Sequence, residues 1–168
     1  MSSDSPRTDV TRAEPAPATF LKLLDVHARL NEHFLQHQEA LLALDLPLAL
    51  ERLRAYRREL LAHMRPEEEI LLPRYVKGGV RPGGPLELFL GEHRKMLEFL
   101  DRFEATLERL LSEPGDVRRA IISLFDEQTM FKHLVEHHDL RERNILYPAL
   151  DEMTSESERR DLLARCGG

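Results

Sequence analysis

Cysteine is almost missing from this chain: Cys166 is the only one, in a Cys-Gly-Gly tail. That excludes an intrachain disulfide and any metal site built on thiolates, and it makes the cytoplasm the default compartment. Tryptophan is absent and glycine gathers largely in two places. No apolar run approaches the roughly 20 residues that a membrane span needs. The opening Met-Ser-Ser-Asp-Ser-Pro-Arg-Thr-Asp lacks the charged-then-apolar layout of a secretory signal. An excess of positive charge is also missing. The formal charge of −6 argues against nucleic-acid binding through phosphate contacts. The one basic run, Glu51-Arg-Leu-Arg-Ala-Tyr-Arg-Arg58, reads as a solvated helix face rather than an anion site. What remains is 168 residues, 32% charged and 42% hydrophobic, which suits one domain with a real core.

Residues 1–17 are rich in Ser, Thr, Asp, Ala and Pro without an apolar period, and read as a disordered arm. Residues 18–153 read as one helical domain, and 154–168 as a tail with a short amphipathic helix over 155–165. From Phe20 the positions Leu23, His27, Leu30, Phe34, His37, Leu41 and Leu44 follow helical steps of three and four. Asp45 caps the next helix and Pro47 lies in its first turn. That second helix spans about Leu48 to Tyr75, with Leu50, Leu53, Leu60, Ile70 and Leu71 facing inward. Pro66 removes the amide that would bond to the Ala62 carbonyl, which predicts a kink or widening beside His63 and Glu67. Lys77-Gly-Gly-Val-Arg-Pro-Gly-Gly-Pro85 is the strongest break in the chain. A third helix runs from about Pro85 to Ser112. A fourth, capped by Asp116, reaches about Tyr147, where Pro148 ends or bends it. Two hairpins with short connections, each helix carrying one apolar stripe, predict an all-α, up-down-up-down antiparallel four-helix bundle.

Histidine, at eight residues, is the unusual count. Two of the eight stand in matching segments: His63-Met-Arg-Pro-Glu67-Glu-Glu-Ile-Leu-Leu-Pro73 and His138-Asp-Leu-Arg-Glu142-Arg-Asn-Ile-Leu-Tyr-Pro148, offset by 75 residues throughout. On a helix, residues i and i+4 share one face, so each segment presents an imidazole beside a carboxylate. Antiparallel partners lie equidistant from the turn that joins them. His93 and His138 reflect about the Gly115–Asp116 turn, and His27 and His63 reflect about Asp45. His33 and His37 reflect about points inside the second helix. His37 also lies about 15 Å along its helix from His27, too far for one compact site. The stripe Leu124, Phe131, Leu134, Val135, His138, Glu142, Ile145 leaves His133 and His137 off the inner face.

His27, His63, Glu67, His93, His138 and Glu142 are therefore the candidate metal ligands. An N/O set without thiolate suits iron, manganese or zinc, and six donors exceed what one tetrahedral ion needs. Two carboxylates able to bridge point to two ions. Glu68 is a reserve ligand should Pro66 rotate the helix, Met64, Met96 and Met130 read as core filler, and His37 as a buried core histidine. Duplicated hairpins packed alike would also share the Ile-Leu-x-Pro sequel without any metal.

The residues His27-Ala-Arg-Leu30, Glu92-His93 and both His-x-x-x-Glu-x-x-Ile-Leu-x-Pro segments resemble the hemerythrin-like family of His-His-Glu cation-binding proteins, over roughly residues 20–150. The resemblance implies a bundle around a non-haem di-iron centre, with Glu67 and Glu142 bridging two iron ions together with an oxo or hydroxo group. It also implies dioxygen or solvent at an open position. Members bind dioxygen, or take part in sensing or handling oxygen, nitric oxide and peroxide, or in iron homeostasis. Oxygen-carrying members have a further histidine four residues after the third-helix ligand, where this chain has Leu97. A centre one imidazole short is expected to oxidise faster and to store oxygen less reversibly. Ferritin-like di-iron proteins use Glu-x-x-His, the reverse order and a different spacing.

Three functions compete. The first is a protein that binds or senses a small ligand (dioxygen, nitric oxide, peroxide), its site walled by Leu30, Phe34, Leu97, Phe131 and Leu134. The second is a redox enzyme reducing peroxide or oxygen at the same centre. The third is a zinc-bound or metal-free interaction bundle. No separate acid–base pair or substrate pocket is legible, which favours the binding protein. No nucleic acid and no membrane enter any of the three.

Overall fold

The computed structural model describes residues 16–113 and 115–166. Apart from residues 16 and 17, the arm expected over residues 1–17 lies outside them. Every regular element among the described residues is helical. A 3₁₀ turn, Phe20–Leu23, leads into α1 (Leu24–Leu42). Helix α2 spans Leu46–Pro66, a π-turn covers Glu67–Leu71, and α3 (Leu72–Gly78) continues the rod. After the Gly/Pro loop come α4 (Leu86–Ser112) and α5 (Val117–Arg141). A second π-turn, Glu142–Leu146, leads into α6 (Tyr147–Met153), and α7 (Glu156–Arg165) closes the chain. No helix is long and apolar enough among the described residues to cross a membrane.

The helix starts follow the capping chemistry. Asp45 accepts from the Leu48 amide (3.0 Å) and Asp116 from the Arg119 amide (3.2 Å), each satisfying an amide the helix leaves free. Helix α1 ends in a Schellman motif. Asp45 N–H donates to the Ala40 carbonyl and Leu44 N–H to the Leu41 carbonyl. That motif puts Leu44 at φ 59, in the left-handed region that glycine tolerates and leucine does not. Leu44, a stripe position on sequence grounds, is 43% exposed for this reason. Leu44→Gly is expected to stabilise the protein by about 0.5–1 kcal/mol, read as a rise in Tm at unchanged metal content.

The hairpins pack in opposed directions. His27 meets His63 while His37 meets Ala49; Arg57 meets Asp101 while Glu68 meets His93; His93 meets His138 while Arg102 meets Glu127. The resulting helical bundle has two apolar clusters. One fills the end near the α1–α2 and α4–α5 connections, with Leu53, Phe103 and Phe131 at its centre. The other joins Phe20, Leu71, Tyr75, Phe89, Leu146 and Tyr147 to Leu162 and Leu163 of α7. Buried polar residues fall between the clusters on every long rod: His27 between Leu23 and Leu30, Glu67 between Met64 and Leu71, His93 between Phe89 and Met96, Glu142 between Phe131 and Leu146.

Helix α7 starts at Ser155, whose hydroxyl accepts from the Glu158 amide. Arg159 ties it down by donating to the carbonyls of Ala18 (2.8 Å), Asp151 (2.9 Å) and Thr154 (3.0 Å). It therefore covers the second cluster and is part of the core.

Three sequence expectations change. Pro148 does not stop the fourth rod, which continues through α6 to Met153. A proline in the first turn of a helical segment gives up only an amide that the preceding π-turn leaves free. Met130 is 64% exposed, not core. The widening expected from Pro66 occurs, but it occurs equally in the second hairpin, which has no proline at the matching position. What the two π-turns share is a proline two residues beyond their end, Pro73 and Pro148. In an α-helix the ring of Pro73 would press on the Glu69 carbonyl, and that of Pro148 on the Asn144 carbonyl. Letting Leu72 N–H reach Glu67 O, and Tyr147 N–H reach Glu142 O, opens the turn and removes the clash.

Candidate metal centre

Both π-turns begin on a glutamate of the sequence motif, and both glutamates point inward. Glu67 is 1% exposed and Glu142 fully buried. Glu67, His93, His138 and Glu142 bring one donor atom each within 4.8 Å of one another, and His27, His63 and Glu142 do the same. All six candidates of the sequence thus converge, and Glu142 belongs to both groups. His27 Nε2 lies 2.8 Å from His63 Nε2, and His93 Nε2 lies 3.1 Å from His138 Nε2. Glu142 turns Oε2 to His27 (3.1 Å) and Oε1 to His138 (2.8 Å). Glu67 turns Oε1 to His63 and Oε2 to His93, both at 3.6 Å. Each carboxylate therefore gives one oxygen to each histidine pair.

A ring of acids outside the cage fixes the imidazoles. An ionised carboxylate only accepts hydrogen bonds, so the nitrogen facing it carries the proton. His93 Nδ1–H donates to Glu68 (2.8 Å) and His138 Nδ1–H to Glu92 (3.0 Å). Arg141 holds Glu92 from the other side at 2.6 Å. His27 Nδ1 faces Asp139 at 3.4 Å. With Nδ1 protonated, the Nε2 lone pairs point inward. Pairs of lone pairs at 2.8 and 3.1 Å repel unless a cation or a proton lies between them. Glu67 Oε2 and Glu142 Oε1 are buried without a hydrogen-bond donor. Four imidazole nitrogens and two carboxylates aimed at common points fit a metal ion by donor type and by direction.

The electrostatics agree. Burial raises Glu67 well above the usual carboxylate range, and the charge of Glu142 adds to it. Burial alone would raise Glu142 too, but His138 and His27 outweigh it and hold Glu142 well below that range. Burial would lower His138, yet Glu142 and Glu92 raise it well above an ordinary histidine. Burial takes His63 down to about 4, so it remains a neutral lone-pair donor at physiological pH.

The other histidines do not enter the cage. His37 is fully buried in a satisfied network: its Nδ1–H donates to Ala49 O (2.7 Å) and its Nε2 accepts from Gln128 (2.9 Å). His33 pairs with Glu59 near the surface, and His133 and His137 are exposed. Glu68 is not a cage donor but the acid that orients His93. The walls also differ from expectation. A small apolar cavity beside the cage is lined by Leu30, Tyr56, Leu60, Met64, Met96 and Val135. Phe34 and Phe131 lie in the apolar cluster beyond it, and Leu97 and Leu134 are only partly buried.

Sequence reasoning missed Tyr147. Its buried hydroxyl donates to Glu67 Oε1 (2.6 Å) and lies 3.0 Å from Glu142 Oε2, holding the two carboxylates together. The signal was the one unlike position in the apolar trios, Leu72 in the first and Tyr147 in the second. Burial and the two glutamate charges raise its phenol well above the usual range, so it stays a donor. Tyr147→Phe is expected to keep metal content but to cost about 1.5–3 kcal/mol of stability in the metal-free protein, read by denaturant unfolding.

The family model of the hemerythrin HHE cation binding domain matches residues 20–161. No curated protein and no solved structure matches the chain. The match covers most of the sequence and every residue of the cage, and the chain belongs to the hemerythrin HHE cation-binding domain family.

Proposed function

We propose that this protein holds two iron ions in the cage and binds or senses dioxygen or a related small ligand, nitric oxide or peroxide. The observation that carries this reading is the shared orientation of the glutamates. Each offers one oxygen to the His27/His63 pair and one to the His93/His138 pair, the disposition of a carboxylate that bridges two ions. Bound iron would supply redox electrons and a coordination position for the ligand. The chain's own residues hold the donors and orient the imidazoles. Leu97, one turn after His93, brings no donor, so bound iron would keep that position for the ligand. The apolar cavity lined by Leu30, Tyr56 and Met96 admits only small molecules. In this reading the four long rods run up, down, up and down, which the opposed pairings support. The protein acts in the cytoplasm on a small ligand, without nucleic acid or membrane.

Metal analysis and optical spectroscopy of aerobically purified protein test the reading. About two irons per chain with near-ultraviolet charge-transfer bands are expected; zinc alone, or no metal, refutes it. The redox-enzyme reading has one structural support, the Tyr147 O–H proton at both carboxylates. Sustained peroxide turnover would favour it over binding.

A further inference from the structure

A groove of about 450 Å³ runs between the start of α1 and α7 and reaches His63 and Glu67 at its inner end. Lys22, Arg29 and Arg160 line it, against Asp25; Arg160 is paired with Glu156 at 2.7 Å. Lys22 and Arg29 make no ion pair among the described residues, and both are exposed. At the exposed end of the groove Lys22 and Arg29 therefore face one acid, Asp25, on a chain whose formal charge is −6; the other lining acid, Glu67, is buried at the inner end. The cage is open here in a second way. His27, His93 and His138 each turn Nδ1 toward an acid, whereas His63 has no such acid among the described residues and its ring lines the groove.

We propose that this groove is the route by which small inorganic anions reach the cage, with Lys22 and Arg29 supplying the steering charge. Field lines from lysine and arginine in a narrow cleft raise the local concentration of anions and repel free metal cations. Within each donor group of the cage the ligand atoms lie within 4.8 Å of one another, which limits the guest to a few atoms. No lysine or arginine lines the cavity on the Tyr56 side, so neutral ligands and anions would use different routes. What the anion meets at the inner end rests on the di-iron reading; the groove and its field do not.

Cys166 lines the same groove and reports on it. Its reaction with the anionic 5,5′-dithiobis(2-nitrobenzoate) is compared with that of a neutral dipyridyl disulfide at one pH, so that the thiolate fraction cancels. The anionic-to-neutral rate ratio is expected to fall about five- to tenfold in Lys22→Glu/Arg29→Glu and in high salt. An unchanged ratio overturns the proposal. With iron-loaded protein, azide association followed by stopped-flow absorbance is expected to slow by a similar factor in that variant, while nitric oxide association keeps its rate. Azide binding at the unaltered rate overturns the route. A protein that takes up no iron refutes the di-iron reading alone, and the labelling ratio still decides the groove.

Discussion

With two ions per chain, as proposed, Glu142→Ala is expected to reduce metal content to near zero, whereas Glu67→Ala leaves about one. In sequence the two glutamates are equivalent, each four residues after a histidine in matching segments. In the structure they are not. Glu142 takes part in both donor groups and sits within 3.1 Å of His27 and His138. Glu67 stands 3.6 Å from both its histidines and belongs to one group. The electrostatics give the same ranking, because His138 and His27 hold Glu142 ionised while burial favours the protonated form of Glu67. The metal-free Glu142→Ala protein should also be destabilised by about 3–5 kcal/mol, since Glu142 is the foremost of the carboxylates that raise the proton affinity of buried His138. Inductively coupled plasma analysis reads the first effect and urea unfolding the second. Equal metal loss in both variants would show that the glutamates are interchangeable and that the shared position of Glu142 is without consequence.

The largest stability effect outside the cage is expected at Phe131. Its ring is 1% exposed and packs against Phe34 (5.0 Å), Phe103 (5.7 Å), Phe99 (5.9 Å) and Tyr56 (6.0 Å), so residues from α1, α2 and α4 meet on one side chain of α5. Phe131→Ala removes that ring from a site whose neighbours are themselves large and rigid, which limits collapse into the gap. A cost of about 3–5 kcal/mol is expected, corresponding to a Tm lower by roughly 8–15 °C for a chain of this size. Metal content should remain, because Phe131 is about 10 Å along its helix from His138. A change below about 1 kcal/mol would mean that the bundle repacks freely around this position.

The cage was legible from spacing alone because two kinds of regularity act on it. A four-residue step puts His63 with Glu67 and His138 with Glu142 on one face, and reflection about Asp45 and about the Gly115–Asp116 turn selects His27 and His93. Helical period and antiparallel packing are backbone properties, so a sequence carries them without knowledge of tertiary contacts. Capping at Asp45 and Asp116 was legible for the same reason. The oriented lone pairs were not. They depend on Glu68, Glu92 and Asp139, acids from neighbouring positions or neighbouring helices that look like solvated charge in a linear sequence.

The sequence by itself determined an all-helical chain, its turns, and which histidines and glutamates share one level. Only the tertiary structure decided how those side chains face each other. It opened a π-turn after each glutamate, and it set Tyr147 between the two carboxylates. It also gave Glu142 to both histidine pairs, and packed α7 beside a cation-lined groove that ends on His63. The physical reason is that period and chain reversal are local, whereas a carboxylate's direction and a buried proton's place depend on donors that the fold brings from distant helices. The two matching segments predict where a metal belongs; the differences between them, Tyr147 above all, decide how it is held.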